Sequence, residues 1–375
     1  MSAAPPVVQP APPADTARGT VVMQVEGLKR DYVQPADLID RVGRRLRGKG
    51  DPPPVQAVAG VDLQIFHGEV LAVVGESGCG KTTLGRMLTG IIPPTAGRVV
   101  FRGRDIAVMR GAERRAYELG VQMIFQDPFS SLNPRMRVRD IIGEAPVVHG
   151  LVSRARCDDY VCELLRKVGL DPDYRERYPH QFSGGQRQRI GVARALALKP
   201  DIIVCDEAVA ALDVSIQAQV LNLFMALRNE FDLTYVFISH NLGVVSHISD
   251  RVAIMYLGRI VELAPTEQVF AAATHPYTQA LLKELPVLSA TKRQFDPIVG
   301  ELPSPADPPP GCAFHPRCPR VMARCRVERP LLRQVAPGHW SACHLNDESG
   351  AGTQPGTIVA AASPAPDDRN ATENP

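Results

Sequence analysis

The sequence predicts an α/β protein with a mainly parallel sheet, an antiparallel β region, an inserted helical subdomain and a small cysteine-rich module near its C-terminal end. Three observations carry this expectation. Apolar runs of strand length alternate with helical patterns through most of the 375 residues. One run, Val70 to Val74, is apolar throughout, as suits a strand covered on both faces, and leads directly into the glycine-rich stretch Gly75 to Thr83. Four of the eight cysteines, Cys312, Cys318, Cys325 and Cys343, crowd the end of the chain.

Taken in order, residues 1–20 are a Pro/Ala-rich arm expected to be disordered, too discontinuous in apolar character for a signal peptide. Val21 to Val25 opens the fold as a strand, with Gly27 to Tyr32 behind it. Residues 33–54 read as an insertion in which Arg41, Arg44, Arg45, Arg47 and Lys49 have no acidic residue between them; it either lies against anionic headgroups or a partner, or is a solvated loop. From Val55 to Ile65, alternate residues are apolar, the period of a half-buried strand. Val99 to Phe101, Val121 to Phe125, Ile202 to Cys205, Tyr235 to Ile238 and Val252 to Met255 continue the strand series. After Asp213, Ile216, Val220, Leu223, Phe224 and Leu227 form one apolar helical stripe, with Gln217, Asn222 and Arg228 on the opposite face.

Residues 127–190 break the rhythm. Helical patterns at Val138 to Val148 and Cys157 to Val168 have no strand between them, which predicts the inserted subdomain within an α/β domain spanning 21–285. A helix is expected from Thr278 to Leu285, with His275 and Tyr277 in the turn before it. Pro-rich connectors then lead into the cysteine-rich module, 286–345, where Trp340 is expected to supply packing; a disordered tail, 346–375, follows. A net charge of +2 gives no reason to expect a large nucleic-acid footprint. No run of 18 or more apolar residues suggests a membrane span, so a cytoplasmic chain is expected, with any membrane role supplied by partner subunits.

Gly75, Glu76, Ser77, Gly78, Cys79, Gly80, Lys81, Thr82 and Thr83 satisfy G-x-x-x-x-G-K-[ST] in the strand-loop-helix setting the pattern requires. Glycines let successive N–H groups converge on a phosphate, and the helix behind them adds its positive dipole end. Lys81 would reach the β- and γ-phosphates and the Thr82 hydroxyl would ligate Mg²⁺, a nucleoside triphosphate site. Downstream, the strand from Ile202 ends in Asp206 and Glu207: one carboxylate for the Mg²⁺ shell, one for the water beyond the γ-phosphate. Ser183, Gly184, Gly185 and Gln186 form a second anion-ready helix start, Ser183 being the cap. One nucleotide does not need two cradles.

With that pair of cradles the chain resembles the ATP-binding subunits of ABC transporters. Its signature motif departs from theirs in having Phe182 where Leu is usual. The resemblance implies that the signature of one subunit caps the nucleotide held by the phosphate loop of another. It also implies that Gln126 links Mg²⁺ and the attacking water to the helical subdomain, Asp213 lies in a loop crossing the dimer interface, and His240 contacts the γ-phosphate. Tyr32 falls where an adenine-stacking aromatic belongs, although a partly buried loop tyrosine is the plainer reading. Phe125-Gln-Asp-Pro-Phe-Ser-Ser-Leu-Asn-Pro-Arg-Met136, Tyr178-Pro-His-Gln-Phe182, Leu212-Asp-Val-Ser-Ile-Gln-Ala-Gln219, His275-Pro-Tyr-Thr278 and Gly311-Cys-Ala-Phe-His-Pro-Arg-Cys-Pro319 are similar to the oligopeptide/dipeptide importers, specifically their F-type ATPase subunit. Ala208 replaces the usual Pro, Ala210 a common Ser, and Cys79 a small loop residue.

The resemblance implies a peripheral ATPase on the cytoplasmic face of the inner membrane, energising di- or oligopeptide import. Its implied partners are a D-type ATPase subunit, two transmembrane permease subunits and an extracytoplasmic solute-binding protein. Nickel or glutathione as cargo, a soluble ABC ATPase acting on DNA or ribosomes, and a redox-responsive regulator are the rival readings. The terminal cysteines are separated by five, six and seventeen residues, lacking the C-x₂₋₄-C knuckles of zinc ribbons. The spacing favours a Cys₄ iron–sulfur site, and the resemblance implies a [4Fe–4S] cluster. His315, His339 and His344 keep zinc open, and four packed free thiols are the third reading.

Overall fold

The computed structural model describes residues 19–33, 53–127, 130–285 and 300–347. The arm through residue 18, most of the basic insertion (34–52), the segment 286–299 and the tail from 348 lie outside the described residues.

The chain enters through β1 (Val21–Tyr32) and β2 (Val55–Phe66), which pair antiparallel from Val21↔Phe66 to Tyr32↔Val55. The basic insertion is therefore the connection of a long hairpin. The expected strand at Val21 to Val25 runs on to Tyr32, because register shifts let the chain bulge at Gly27, whose N–H is taken by Asp62 Oδ1 at 2.7 Å. β3 (Val70–Val74) crosses to a second sheet before β4 (Ala96–Phe101) and β5 (Arg104–Asp105) return, giving an antiparallel sheet ordered β2-β1-β4-β5.

The main sheet is completed by β6 (Val121–Ile124), β7 (Ile202–Asp206), β8 (Thr234–Ser239), β9 (Arg251–Tyr256), β10 (Arg259–Pro265), β11 (Arg333–Ala336) and β12 (His339–Ser341). Its order is β11-β12-β10-β9-β3-β8-β7-β6. The strands from β9 to β6 are mutually parallel, and β3, β7 and β8 are buried along their whole length, which is why they read as unbroken apolar runs. At the other edge β10, β12 and β11 are antiparallel. The C-terminal strands thus extend the main sheet through Glu262↔Ser341 and Leu263↔Trp340. Trp340 and Leu332 pack on the cluster formed by β1, β2 and α1 (Lys81–Leu88), so the lone tryptophan joins the terminal hairpin to the main body rather than filling a separate small core.

After α2 (Gly111–Gly120), the helical subdomain is built from α3 (Val138–Val148), α4 (Cys157–Lys167) and α5 (Gly184–Leu196). These bury Ile141, Ile142, Val161, Leu164, Leu165 and Ile190 against one another. Each such side chain is worth roughly 1.5–3 kcal/mol relative to exposure. α4 also places Asp158 and Asp159 in its first turn and Arg166 and Lys167 in its last, matching the helix dipole at both ends.

In α6 (Val214–Phe231), Val220, Phe224 and Leu227 are buried, with Ile216 and Leu223 packed beside them. Arg228 departs from the simple polar-face expectation. Its Nε donates to Gly68 O at 2.8 Å and its Nη2 to Asp250 Oδ2 at 2.7 Å, tying the helix to the base of β3. Following α7 (Leu242–Ile248) and α8 (Thr266–Ala272), α9 (Pro276–Lys283) starts two residues earlier than the sequence suggests. His275 Nδ1 accepts the Tyr277 N–H at 3.1 Å and Pro276 fills the first helical position, so the cap sits before the proline. Burial pushes the His275 imidazole down to about 4, keeping it the neutral acceptor this cap needs.

The register places Val74 beside Ser239, Asp206 beside Ile238 and Ile124 beside Cys205. The segments leaving β3, β6, β7 and β8 therefore emerge at the same end of the parallel sheet, where α/β folds bind their ligands.

Candidate nucleotide-binding site

The loop Gly75–Gly80 joins β3 to α1 and is shaped by what its glycines leave out. Gly80 has φ +105°, and a Cβ there would stand 2.0 Å from Ala57 O, so neither the conformation nor the space admits a side chain. Lys81 is buried, its Nζ folded back onto Gly75 O at 2.7 Å and Glu76 O at 2.8 Å. Those carbonyl bonds are ones a phosphate oxygen can replace. Cys79 is buried and its thiol pushed up by desolvation, which makes it a protonated packing group.

Thr82 Oγ1 donates to Asp206 Oδ1 at 2.9 Å, so the hydroxyl and carboxylate expected to share a divalent cation are already adjacent. Burial pushes the Asp206 carboxyl up, and the Thr82 hydrogen bond opposes that rise. The next residue turns sharply. Glu207 has φ +46°, and its N–H is held by Ile238 O at 3.0 Å. Its carboxylate meets two partners from neighbouring strand exits: Gln126 Nε2 donates to Oε2 at 2.8 Å, and His240 Nδ1 lies 3.3 Å from Oε1. Two side chains 114 positions apart in sequence (240 − 126) thus converge on one carboxylate. Gln126 is the second residue beyond β6 and opens into the helical subdomain, where Arg194 of α5 donates to Ser131 O at 2.6 Å.

Ser183 caps α5 reciprocally: its Oγ accepts the Gln186 N–H at 3.4 Å while Gln186 Oε1 accepts the Ser183 N–H at 3.0 Å. A Cβ at Gly185 would lie 2.5 Å from Ile216 Cγ2, so glycine is required where α5 approaches α6. Phe182 is buried edge-on to Tyr174, centroids 5.4 Å apart, which accounts for an aromatic residue just before the cap. These contacts are local and leave Ser183 exposed. Asp213 is also exposed, its side chain makes no cap hydrogen bond, and Val214 behind it is 83% exposed. Tyr32 ends β1 with the Arg30 guanidinium 4.9 Å over its ring, a charged group on one aromatic face.

The ABC transporter family model matches residues 58–210, and the model of the oligopeptide/dipeptide transporter C-terminal region matches residues 261–325. The chain belongs to the ABC transporter ATP-binding proteins of the oligopeptide/dipeptide family. It is 53% identical over 298 residues to a probable peptide ABC transporter ATP-binding protein, y4tS, of Sinorhizobium fredii, covering 79% of this chain and 84% of that one. It is 50% identical over 309 residues to the oligopeptide transport ATP-binding protein AppF of Bacillus subtilis (81% and 93%). With the dipeptide transport ATP-binding protein DppF of Haemophilus influenzae it shares 44% over 330 residues (88% and 98%). Among solved structures, cbiO1 of Clostridium perfringens, part of an ABC transporter complex, superposes with a TM-score of 0.55 at 25% identity, covering 67% of this chain and 91% of that one.

In this ABC ATPase, two residues that depart from the family pattern sit beside the chemistry: Ala208 is buried and Ala210 exposed. No described helix is long and apolar enough to cross a membrane. Cys312, Cys318, Cys325 and Cys343 line one cavity with His275, His315 and His344. The expected metal site is not formed there: among the described residues no group of three or more His, Cys, Asp or Glu is arranged to hold a metal ion. Burial pushes the thiols of Cys312 and Cys318 up, and that of Cys343 up to about 11. His339, the third candidate for zinc, is engaged elsewhere, its Nε2 lying 2.7 Å from Glu262 Oε1 across the β10–β12 pairing.

Sequence reading missed a contact between the C-terminal region and the phosphate loop. Tyr277 receives the Glu76 N–H on its hydroxyl at 2.9 Å, and Arg317 grips the Glu76 carboxylate. Residues 201 and 241 positions apart leave no periodic or motif signal of such a meeting.

Proposed function

We propose that this ABC ATPase binds ATP and Mg²⁺ at Gly75–Thr83 and powers import of di- or oligopeptides through membrane permease subunits. The cluster of Glu207, Gln126 and His240 beside the Thr82–Asp206 pair carries this reading. Lys81 binds the β- and γ-phosphates, and Thr82, Asp206 and Gln126 serve Mg²⁺. Glu207 takes the proton of the attacking water, with His240 at the γ-phosphate and Tyr32 under adenine. Ser183, Gly184, Gly185, Gln186 and Asp213 serve the nucleotide of a second ATPase subunit, a D-type relative; the exposure of Ser183 and Asp213 supports that assignment.

ATP closes the pair, closure draws the helical subdomains together, and hydrolysis reopens it. Holding the water between two polypeptides orders the attack and aims donors at the γ-phosphate. The complex sits on the cytoplasmic face of the membrane and receives its cargo from an extracytoplasmic solute-binding protein. Purified from membranes, the chain is expected to bring two permeases and a D-type ATPase. ATP hydrolysis should be stimulated by peptide-loaded binding protein and not by nickel or glutathione. Stimulation by either of those solutes alone would move the cargo assignment.

The four cysteines are proposed as ligands of a [4Fe–4S] cluster, with zinc as the alternative; their convergence on one cavity supports this. Binding would require the thiols to deprotonate and close in. Iron and sulfide in about fourfold equivalence per chain after anaerobic purification is the expected result for Cys₄ ligation. Absence of both, with zinc retained, reverses it.

A further inference from the structure

The phosphate loop of this chain contains its own anion. Glu76 is the second residue of the cradle, and its backbone carbonyl is one of the two that hold Lys81. A carboxylate inside a loop that receives a triphosphate repels the ligand unless it is neutralised or turned aside. Arg317 does both. Its Nη1 reaches Glu76 Oε1 at 2.9 Å and Oε2 at 3.0 Å, and its side chain is only 6% exposed. With the guanidinium shielded, this charge-assisted contact is screened less by salt than an ion pair exposed on both sides.

The arginine is itself firmly seated. It ends the turn His315–Arg317, where its N–H is held by Phe314 O at 3.0 Å. Phe314 packs against Tyr256 at the end of β9 and Tyr277 of α9, with ring centroids 5.4 Å apart in both cases, and the Tyr256 and Tyr277 rings meet tilted at 59° with centroids 4.7 Å apart. The same Tyr277 takes the Glu76 N–H. One buried aromatic cluster therefore holds both the main chain and the charge of Glu76 from the C-terminal side of the protein.

We propose that Arg317 is a positioning residue for ATP: by neutralising Glu76 and holding it aside, it makes the affinity of the phosphate loop depend on the docked C-terminal region. This rests on the reading of Gly75–Thr83 as the ATP site. Arg317 touches no phosphate in this scheme and acts only through Glu76.

Calorimetric titration of the full chain with MgATP tests it. At low salt, Arg317→Ala is expected to raise the Kd about 10- to 100-fold, the effect of an uncompensated charge several ångströms from a polyanion. The deficit should shrink as salt rises. Arg317→Lys should recover part of the loss. Adding Glu76→Gln to Arg317→Ala should recover most of it, because the repulsive charge is then gone although the bridge is still absent. In the assembled transporter the Arg317→Ala defect should appear in KM with kcat at saturating ATP little changed. Two results would overturn the proposal: wild-type affinity in Arg317→Ala, or a deficit that Glu76→Gln does not relieve, which would mean that the arginine serves only to dock the C-terminal region. If instead the wild-type chain binds no MgATP, or binds it equally with Lys81→Ala, it is the nucleotide reading of the loop that fails.

Discussion

Glu207→Gln is expected to leave MgATP binding intact while lowering hydrolysis by about 10²- to 10⁴-fold, the span usually supplied by a positioned general base. Geometry explains the split. In the proposed assignment phosphate affinity rests on the loop and Lys81 and Mg²⁺ affinity on Thr82, Asp206 and Gln126, and neither set includes Glu207. The Glu207 side chain is only 15% exposed and is held by Gln126 on one oxygen with His240 near the other, so the isosteric amide fits the same space but cannot accept a proton from water. Its left-handed φ of +46° is a conformation that non-glycine residues adopt at a cost, maintained here by the N–H bond to Ile238 O. Single-turnover measurement on the assembled transporter, with bound ATP quantified separately, reads both halves. Hydrolysis at the wild-type rate would remove Glu207 from the mechanism.

Legibility in the sequence followed locality. The phosphate loop, the acidic end of β7 and the Ser183 cap each lie within a dozen residues, where glycine, an apolar run or a capping box leaves its mark, and all three stand where expected. Both expected helices of the inserted subdomain also appear, because three packed helices impose a repeating apolar stripe on each. What escaped was non-local. Arg228 read as a polar-face residue because its partners, Gly68 and Asp250, come from other parts of the chain. β11 and β12 are short and stand at a sheet edge, so their few buried residues, among them His339 and Ser341, set up no alternation. For the same reason Trp340 read as packing for a small separate module, although it faces the main body. The cysteines show the reverse limit: spacing brought four thiols to one cavity, but spacing alone does not dictate the ligand geometry around it.

A second large effect is expected from Ser183→Asp. Removing the cap with alanine would confuse two causes, since losing a serine cap costs about 0.5–2 kcal/mol of helix stability by itself. Aspartate avoids this: it can accept the same Gln186 N–H, and its charge suits a helix N-terminus. The fold and MgATP binding at the chain's own loop should therefore persist, with the thermal midpoint at or slightly above that of the wild type. If α5 points its exposed end at a triphosphate held by the neighbouring ATPase subunit, however, the new carboxylate meets the γ-phosphate head-on in a site from which water is excluded. At an effective dielectric constant near 20, like charges about 4 Å apart repel by roughly 4 kcal/mol, close to a thousandfold in an equilibrium constant. In a Glu207→Gln background, where ATP is retained, light scattering should accordingly show ATP-dependent pairing in the parent and none in the Ser183→Asp form. Undiminished pairing would mean that α5 caps no nucleotide, and the hydrolytic cycle would have to be built without a second subunit's signature helix.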